Sequence, residues 1–76
     1  MSVRAETERA EFVFAVKESG DGTPWIMCEP REGGLKALGD GFLGLRLREG
    51  TDIKQAEEIA SYLNDQIDAI RYTKFL

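Results

Sequence analysis

The stretch GFLGLRLREGTDIKQAEEIASYLNDQIDAI, residues 41–70, changes its apolar period near its middle. The first part places a leucine at every second position, which is typical of a strand with one buried face. The second part repeats apolar residues at the three-four spacing of an amphipathic helix, and no glycine or proline interrupts it. The sequence therefore predicts a strand over residues 42–49 and a helix capped by Thr51 or Asp52.

The predicted helix has an apolar side and an acidic side. Residues 52–70 contain five carboxylates and one lysine, so they account for the whole net charge of -4. An acidic stripe on one helix is usually a solvated surface, and it disfavours nucleic acid as a general partner. The apolar positions, which we expect to form one buried stripe, are Ile53, Ala56, Ile59, Ala60, Leu63, Ile67 and Ile70.

Two further strands are predicted upstream of this stretch. EFVFAVKE, residues 11–18, alternates with period two, and WIMCE, residues 25–29, follows a glycine-containing turn. Residues 1–10 are polar and without pattern, so we predict a loose N-terminal lead-in there. A single α+β domain is predicted over residues 11–76, a length sufficient for one modest core.

The last six residues, RYTKFL, allow two interpretations. Arg71 and Lys74 would suit the negative end of a helix dipole, which favours one more helical turn. Tyr72, Thr73 and Phe75 have high β propensity, which favours a short fourth strand. We prefer the second interpretation.

Alternation along the strands places their large apolar side chains on one face of a sheet. The apolar stripe of the helix needs a matching surface, and this face provides it. The predicted fold is therefore α+β: a three- to four-stranded, mostly antiparallel sheet with one C-terminal helix packed on one face. The expected members of the buried sheet face are Phe12, Phe14, Val16, Ile26, Cys28, Leu43, Leu45 and Leu47.

GDGFLG, residues 39–44, matches the G-x-G-x-x-G spacing of dinucleotide-binding folds. In those folds the glycines connect a strand to a helix, and the helix N-terminus binds the pyrophosphate. Here a strand pattern follows the glycines, so we predict no nucleotide site. Gly39 and Gly41 are predicted to be turn residues with positive φ, and Gly44 to mark either a bulge or a closely packed neighbour.

Composition removes most kinds of catalytic and metal site. The chain contains no histidine, which is the commonest general base and metal ligand. Its single cysteine excludes an intrachain disulfide and a thiolate metal cluster. Cys28 lies in an apolar strand pattern, where we expect a buried, unreactive thiol. We therefore expect no enzyme activity, no cofactor and no metal.

The expected location is the cytoplasm. No secretory signal is recognisable at the start of the sequence, and no apolar run approaches the length of a membrane span.

The other face of the predicted sheet has no second helix to cover it. Tryptophan, methionine and arginine, three residue types that are enriched in interface cores, occur there. For the face itself we prefer the ordinary interpretation, in which the N-terminal residues and two leucines of the long 30–41 connection, Leu35 and Leu38, shield Trp25 and Met27, because scattered apolar side chains are normal at a protein surface. The other interpretation is a binding face. The candidate partner-binding residues are Val13, Trp25, Met27, Arg46 and Arg48.

The predicted function is a non-catalytic interaction module. It self-associates or binds a protein partner through the open sheet face or an exposed edge strand. The alternative is a binder of single-stranded nucleic acid or another anion, in which Trp25 stacks on a base. Lys17, Arg46 and Arg48 would then neutralise phosphates. The acidic helix and the single tryptophan make this alternative the second choice.

The runs DGTPWIMCEP, GFLGLRLREGT and AEEIASYLND, with the YTKF ending, resemble a family of short bacterial proteins with no assigned activity. The resemblance extends over roughly residues 11–75. It implies a compact β-β-β-α domain made as a stand-alone bacterial protein, and it implies no particular activity.

Overall fold

The computed structural model describes residues 5–75, which form one antiparallel sheet of four strands and one helix. This architecture confirms the predicted α+β fold. The strand order is β3-β2-β1-β4, so the last strand returns after the helix to the free edge of β1. In chain order the elements are β1 (Ala5–Glu18), β2 (Pro24–Pro30), a 3-10 helix (Lys36–Leu38), β3 (Leu43–Arg46), α1 (Ile53–Gln66) and β4 (Ala69–Phe75).

Strand β1 is long, and its two halves pair with different strands. Residues 5–11 pair with β4, and residues 12–18 pair with β2. The prediction of a loose lead-in over residues 1–10 is therefore wrong for residues 5–10, while residues 1–4 lie outside the described part. The run AETERA lacks apolar alternation because this half of β1 is largely exposed, and pairing with β4 orders it instead.

The chain after α1 forms the fourth strand. Tyr72, Thr73 and Phe75 lie in β4, and the hydroxyl oxygens of Thr7 and Thr73 are 3.2 Å apart across the strand pair. The strand interpretation is therefore confirmed for residues 71–75, and Leu76 lies outside the described part.

Helix α1 begins as predicted and ends early. Asp52 is the N-cap: its Oδ1 accepts a hydrogen bond from the Gln55 N–H at 2.7 Å, and Gln55 Oε1 accepts one from the Asp52 N–H at 3.0 Å. The helix stops at Gln66 because Ile67 has extended backbone angles, φ -119° and ψ 121°. Ile67 and Ile70 therefore do not extend the helical stripe, and Ile70 lies in β4, where pairing with β1 satisfies its backbone.

The helix packs on β1 and β2 through small side chains. Ala56 and Ala60 are buried, which allows the helix backbone to approach the sheet closely. Leu45 on β3 and Ile59 on α1 are 39% and 38% exposed, contrary to the prediction that both are buried. The reason is that α1 packs on β1 and β2 rather than over β3. The buried core residues are Ala10, Phe12, Phe14, Ile26, Cys28, Leu35, Ala56 and Ala60.

A carboxylate from β1 holds the long connection between β2 and β3. The Glu8 side chain accepts hydrogen bonds from the N–H groups of Lys36 and Ala37, at 2.8 and 3.0 Å. These groups open the 3-10 helix, where no preceding turn offers them a carbonyl. The neighbouring Leu35 is buried in the core, and Leu38 packs against it. The connection therefore supplies core contacts beyond those made by α1.

A side chain caps the part of the β1 edge that β4 leaves free. Asn64 on α1 accepts a hydrogen bond from the Phe14 N–H through Oδ1, at 2.8 Å. Its Nδ2 donates to the Phe14 carbonyl, at 2.9 Å. The amide thus makes the pair of bonds that a residue of a neighbouring antiparallel strand would make. Asn64 thus satisfies the backbone groups of Phe14, which lies beyond the end of β4 along β1.

Asn64→Ala is expected to lower the free energy of unfolding by about 1–3 kcal/mol, because the partly buried Phe14 N–H and C=O lose their partner. Urea denaturation followed by far-ultraviolet circular dichroism measures the change. Gln66→Ala removes an exposed amide from the same helix and should change the free energy by less than about 0.5 kcal/mol. Equal stabilities of the two variants would contradict the role assigned to Asn64.

Candidate functional site

The sheet face opposite α1, here called the open face, presents its side chains in rows. Residues directly opposite one another on paired strands point to the same face, and the intervening residues, such as Ile26, point to the helix. Phe42, which precedes β3, adjoins the rows and is counted with the open face. The rows are Lys17 with Trp25 and Arg46; Ala15 with Met27 and Gly44; and Val13 with Glu29.

Trp25 is held between an aromatic ring and a glycine. Its ring centroid lies 5.9 Å from that of Phe42, at an interplanar angle of 29°, which is a stacked arrangement. A Cβ added at Gly44 would be 3.0 Å from the nearest Trp25 ring atom, so the indole packs directly against the glycine. This confirms the closely packed neighbour, one of the two predictions for Gly44. Trp25 is half-buried, whereas Phe42 is 60% exposed.

A salt bridge crosses the middle of the open face. Lys17 Nζ and Glu29 Oε1 are 3.0 Å apart, and both side chains are partly exposed. The pair spans the row that contains Met27. Arg46, opposite Trp25, is exposed and forms no salt bridge within residues 5–75. Asp21 and Glu49 line the same cleft as Trp25 and Arg46, so the Trp25 end of the face has a rim of mixed charge, while the salt bridge makes its centre neutral.

The structure places four of the five predicted site residues on the open face. Val13, Trp25 and Met27 are half-buried there, and Arg46 is exposed beside Trp25. Arg48 is not part of this group. It lies beyond the end of β3, in the turn that leads to α1.

The turn at Arg48 has a structural role. The Arg48 carbonyl accepts hydrogen bonds from the N–H and the hydroxyl of Thr51, at 3.1 and 2.6 Å. The period-two pattern of the leucines continues to Leu47, beyond the end of β3 at Arg46, and for that reason the strand predicted over residues 42–49 is too long.

Phe42 is the functional candidate that the sequence-based set of site residues omits. It lies just outside β3, so its contact with Trp25 depends on how the connection approaches the strand. The spacing of Phe42 in the sequence is the signal that could have identified it. Residues two positions apart on a strand lie on the same face, so Phe42 shares the face of Gly44, where the absence of a side chain allows a neighbour to pack closely.

The interpretation in which loop leucines shield Trp25 and Met27 is wrong. Leu35 and Leu38 pack with the core on the α1 side of the sheet. Residues 5–10, the other proposed shield, form β1 and pair with β4. The partial burial of Trp25 comes from the stacked Phe42 and from β3.

The glycines of GDGFLG lead into β3, which confirms the strand predicted there. Gly39 has a φ of 56°, as predicted for a turn residue. Gly41 does not have positive φ, so that part of the prediction is wrong. Its constraint is space, because an added Cβ would lie 3.1 Å from the Leu38 carbonyl oxygen.

Cys28 is 2% exposed and belongs to the core, as predicted for a buried thiol. Burial raises the pKa of the Cys28 thiol, because the thiolate form would lose its hydration. The neutral thiol is therefore favoured, which is the opposite of the environment that activates a nucleophilic cysteine.

Residues 5–75 contain neither a cluster of metal-binding side chains nor a helix that could span a membrane. No group of three or more aspartate, glutamate, cysteine or histidine side chains is placed to hold a metal ion. None of the helical segments in the same range is long and apolar enough to cross a membrane.

Comparison with models of known protein families, with curated proteins and with solved structures finds no significant match to this chain. The geometry of the open face is therefore the basis for a functional proposal.

Gly44→Ala is expected to displace the Trp25 indole from Phe42, because the new Cβ would lie 3.0 Å from the ring. Trp25 is the only tryptophan in the chain, so a red shift of the fluorescence emission reports its greater exposure. Gly20→Ala is the matched control, since a Cβ at that position meets nothing within 4 Å. An identical emission maximum in both variants would refute the proposed packing.

The Cys28 thiol is expected to react with a disulfide reagent only when the protein unfolds, because it is buried and its pKa is raised. The raised pKa of the Cys28 thiol also makes the free energy of unfolding depend on pH. Its contribution to that free energy is fully present below the pKa of the unfolded thiol, and it is lost as pH rises through the higher pKa of the folded state. Thiol titration along a urea series at mildly alkaline pH measures the reactivity. The unfolded chain is the positive control, and native protein that reacts at the same rate would exclude a buried thiol.

Proposed function

We propose that this protein is a non-catalytic interaction module that binds a protein partner, or a second copy of itself, through the open face. The observation that supports this most is the stacked pair of Trp25 and Phe42 on a sheet face that no helix within residues 5–75 covers. A cytoplasmic location and a bacterial origin stay predictions from the sequence pattern and the resemblance.

The aromatic pair has the features of an interface anchor. Trp25 offers a large apolar surface and one N–H donor, and contacts with Gly44 and Phe42 hold its ring before any partner arrives. A side chain that is already ordered loses little conformational entropy on binding. Met27 in the next row extends the apolar surface beside it. Tryptophan anchors surrounded by polar residues are the usual origin of binding energy in protein interfaces.

The rim of the face suggests the chemistry of the partner. Arg46 lies opposite Trp25 and has no acidic partner within residues 5–75, whereas Lys17 is neutralised by Glu29. A complementary surface would therefore present an apolar group for the Trp25 ring and a carboxylate next to it. Charge pairs at an exposed rim contribute mainly to specificity and to the rate of association.

Binding of single-stranded nucleic acid is the second candidate, supported by the position of Arg46 beside Trp25. Two observations weaken it. Lys17 is engaged with Glu29, and Arg48 lies off the sheet in the turn before α1. Only one of the three cations proposed for phosphates therefore remains on the face without a carboxylate partner.

Site-specific photo-crosslinking tests the proposed function. The full chain with benzoylphenylalanine in place of Phe42 is expected to form a discrete covalent adduct in cells of the source organism. Adding Trp25→Ala should lower the adduct yield by about tenfold or more, because it removes the anchor. An adduct of twice the mass of the chain would indicate self-association, and another mass would indicate a different protein.

The matched control places the same crosslinker at Tyr62, which is 65% exposed on α1, away from the open face. Equal adducts from both positions, or adducts that Trp25→Ala leaves unchanged, would contradict the proposal.

A titration with a thymidine oligonucleotide of about 12 nucleotides, followed by Trp25 fluorescence, tests the second candidate. Saturable quenching that weakens steeply with salt would favour nucleic acid instead.

A further inference from the structure

The two-stranded ribbon formed by residues 5–10 of β1 and by β4 extends beyond the helix-covered body. The Cα radius of gyration is 14.7 Å, and the molecule measures 48 × 25 × 25 Å. A compact chain of this length would have a radius of gyration of about 11 Å. The elongation is consistent with the offset pairing of β1, because β2 and β4 lie against different halves of that strand.

The ribbon is poorly covered beyond its base, where Ala10 belongs to the core and Ile70 packs against it. Tyr72 and Phe75 are 41% and 72% exposed, and α1 makes its main contacts with β1 and β2 rather than with β4. A pair of strands alone is marginally stable in water, and three or more strands with an apolar face are needed for independent stability. The outer edge of β4 is therefore the position where another strand would add most to the structure.

Strand pairing identifies the backbone groups on that outer edge. The Glu11 carbonyl accepts a hydrogen bond from the Arg31 N–H. The odd-numbered residues of β1 therefore direct their backbone N–H and C=O groups towards the β2 side. The even-numbered residues of β1 therefore bond to β4, where their partners are Ile70, Tyr72 and Lys74. The remaining residues of β4 direct their N–H and C=O groups away from the sheet. They are Ala69, Arg71, Thr73 and Phe75.

We propose that a second copy of this chain pairs with this edge, β4 against β4, antiparallel and with Tyr72 of each copy at the two-fold axis. All seven residues of each strand are then paired. Arg71 lies opposite Thr73 of the second copy, and Ala69 lies opposite the exposed Phe75 of the second copy. The result is a continuous eight-stranded sheet.

The neighbouring registers are less favourable. Pairing centred on Arg71 would place two guanidinium groups directly opposite each other, which is destabilising, and would pair only five residues. Pairing centred on Thr73 also pairs five residues. Only the Tyr72 register combines full overlap with the absence of opposed like charges.

A second copy is favoured over a foreign strand because two-fold pairing is self-complementary, so one sequence satisfies both sides. The other open edges offer less. β3 has only four residues, and a very short edge strand is a common protection against pairing. Residues 5–10 of β1 also have no strand on their β2 side within the described part of the chain, but that edge is shorter than β4 and adjoins the connection that begins at Arg31, whose N–H bonds to the Glu11 carbonyl. The β4 edge is separate from the open face, so the inference does not depend on the proposed function.

Light-scattering mass measured over a dilution series up to about 1 mM tests the dimer. The wild-type mass is expected to double as concentration rises. Thr73→Pro should remain a monomer, because it removes an outward N–H while the bonds between β1 and β4 are kept. Thr7→Pro is the matched control: it loses the same Thr7–Thr73 hydroxyl contact but alters the opposite edge of the ribbon, so its mass should follow the wild type.

Three results would overturn the proposal: wild-type protein that is monomeric throughout, Thr73→Pro that dimerises like wild type, or loss of the dimer in Thr7→Pro alone.

Amide hydrogen exchange on the wild-type chain provides a test that needs no variant. Protection of the Arg71 and Thr73 N–H groups should rise with concentration, whereas Tyr72 and Lys74 should be protected throughout. Exchange at Arg71 and Thr73 that is independent of concentration would exclude the pairing. A loss of crosslinking in Trp25→Ala leaves these measurements unaffected, so the two proposals fail separately.

Discussion

The backbone of β1 pairs with two different strands along its length, and the rest of the structure depends on that division. Fourteen residues at about 3.3 Å each span about 46 Å, close to the 48 Å long axis of the molecule. Strands β2 and β4 have seven residues each, so each covers one half of β1. At the changeover the Asn64 amide takes the place of a strand and bonds to the Phe14 peptide. A helix side chain thus continues the pairing where β4 ends.

Helix α1 is short compared with this strand. Its fourteen residues rise about 21 Å, roughly half the length of β1. The core is therefore concentrated over the half that also carries β2. The connection between β2 and β3 adds Leu35 to the core, and Glu8 fixes that connection by accepting two backbone hydrogen bonds. A small helix and one carboxylate-anchored loop thus bury much of the apolar side of β1 and β2, while Leu45 on β3 is left 39% exposed.

The same geometry leaves two kinds of surface uncovered. One is the open face, where Trp25 stacks on Phe42 and packs against Gly44. The other is the outer edge of β4, where backbone N–H and C=O groups have no strand beside them within residues 5–75. Recognition at the first would depend on shape and on the indole ring, and recognition at the second on strand register. The open face is uncovered because α1 packs on the opposite side of the sheet, and the edge of β4 is uncovered because β4 is the end strand of the sheet that residues 5–75 form.

Local pattern in the sequence determined most of the elements: period two for the strands, the three-four spacing and a cap at Thr51 or Asp52 for α1, and the side of each strand that carries Trp25 and Met27. These features were predictable because each is set by neighbours within a few residues. Only the tertiary structure decided that AETERA is a strand, since its order comes mainly from pairing with β4, about 60 residues away, and of its six residues only Ala10 is buried. The same holds for the exposure of Leu45, for the position of Leu35 and Leu38 on the helix side, and for the contact between Phe42 and Trp25. Each depends on how far α1 and the long connection reach across the sheet, and periodicity carries no information about that distance.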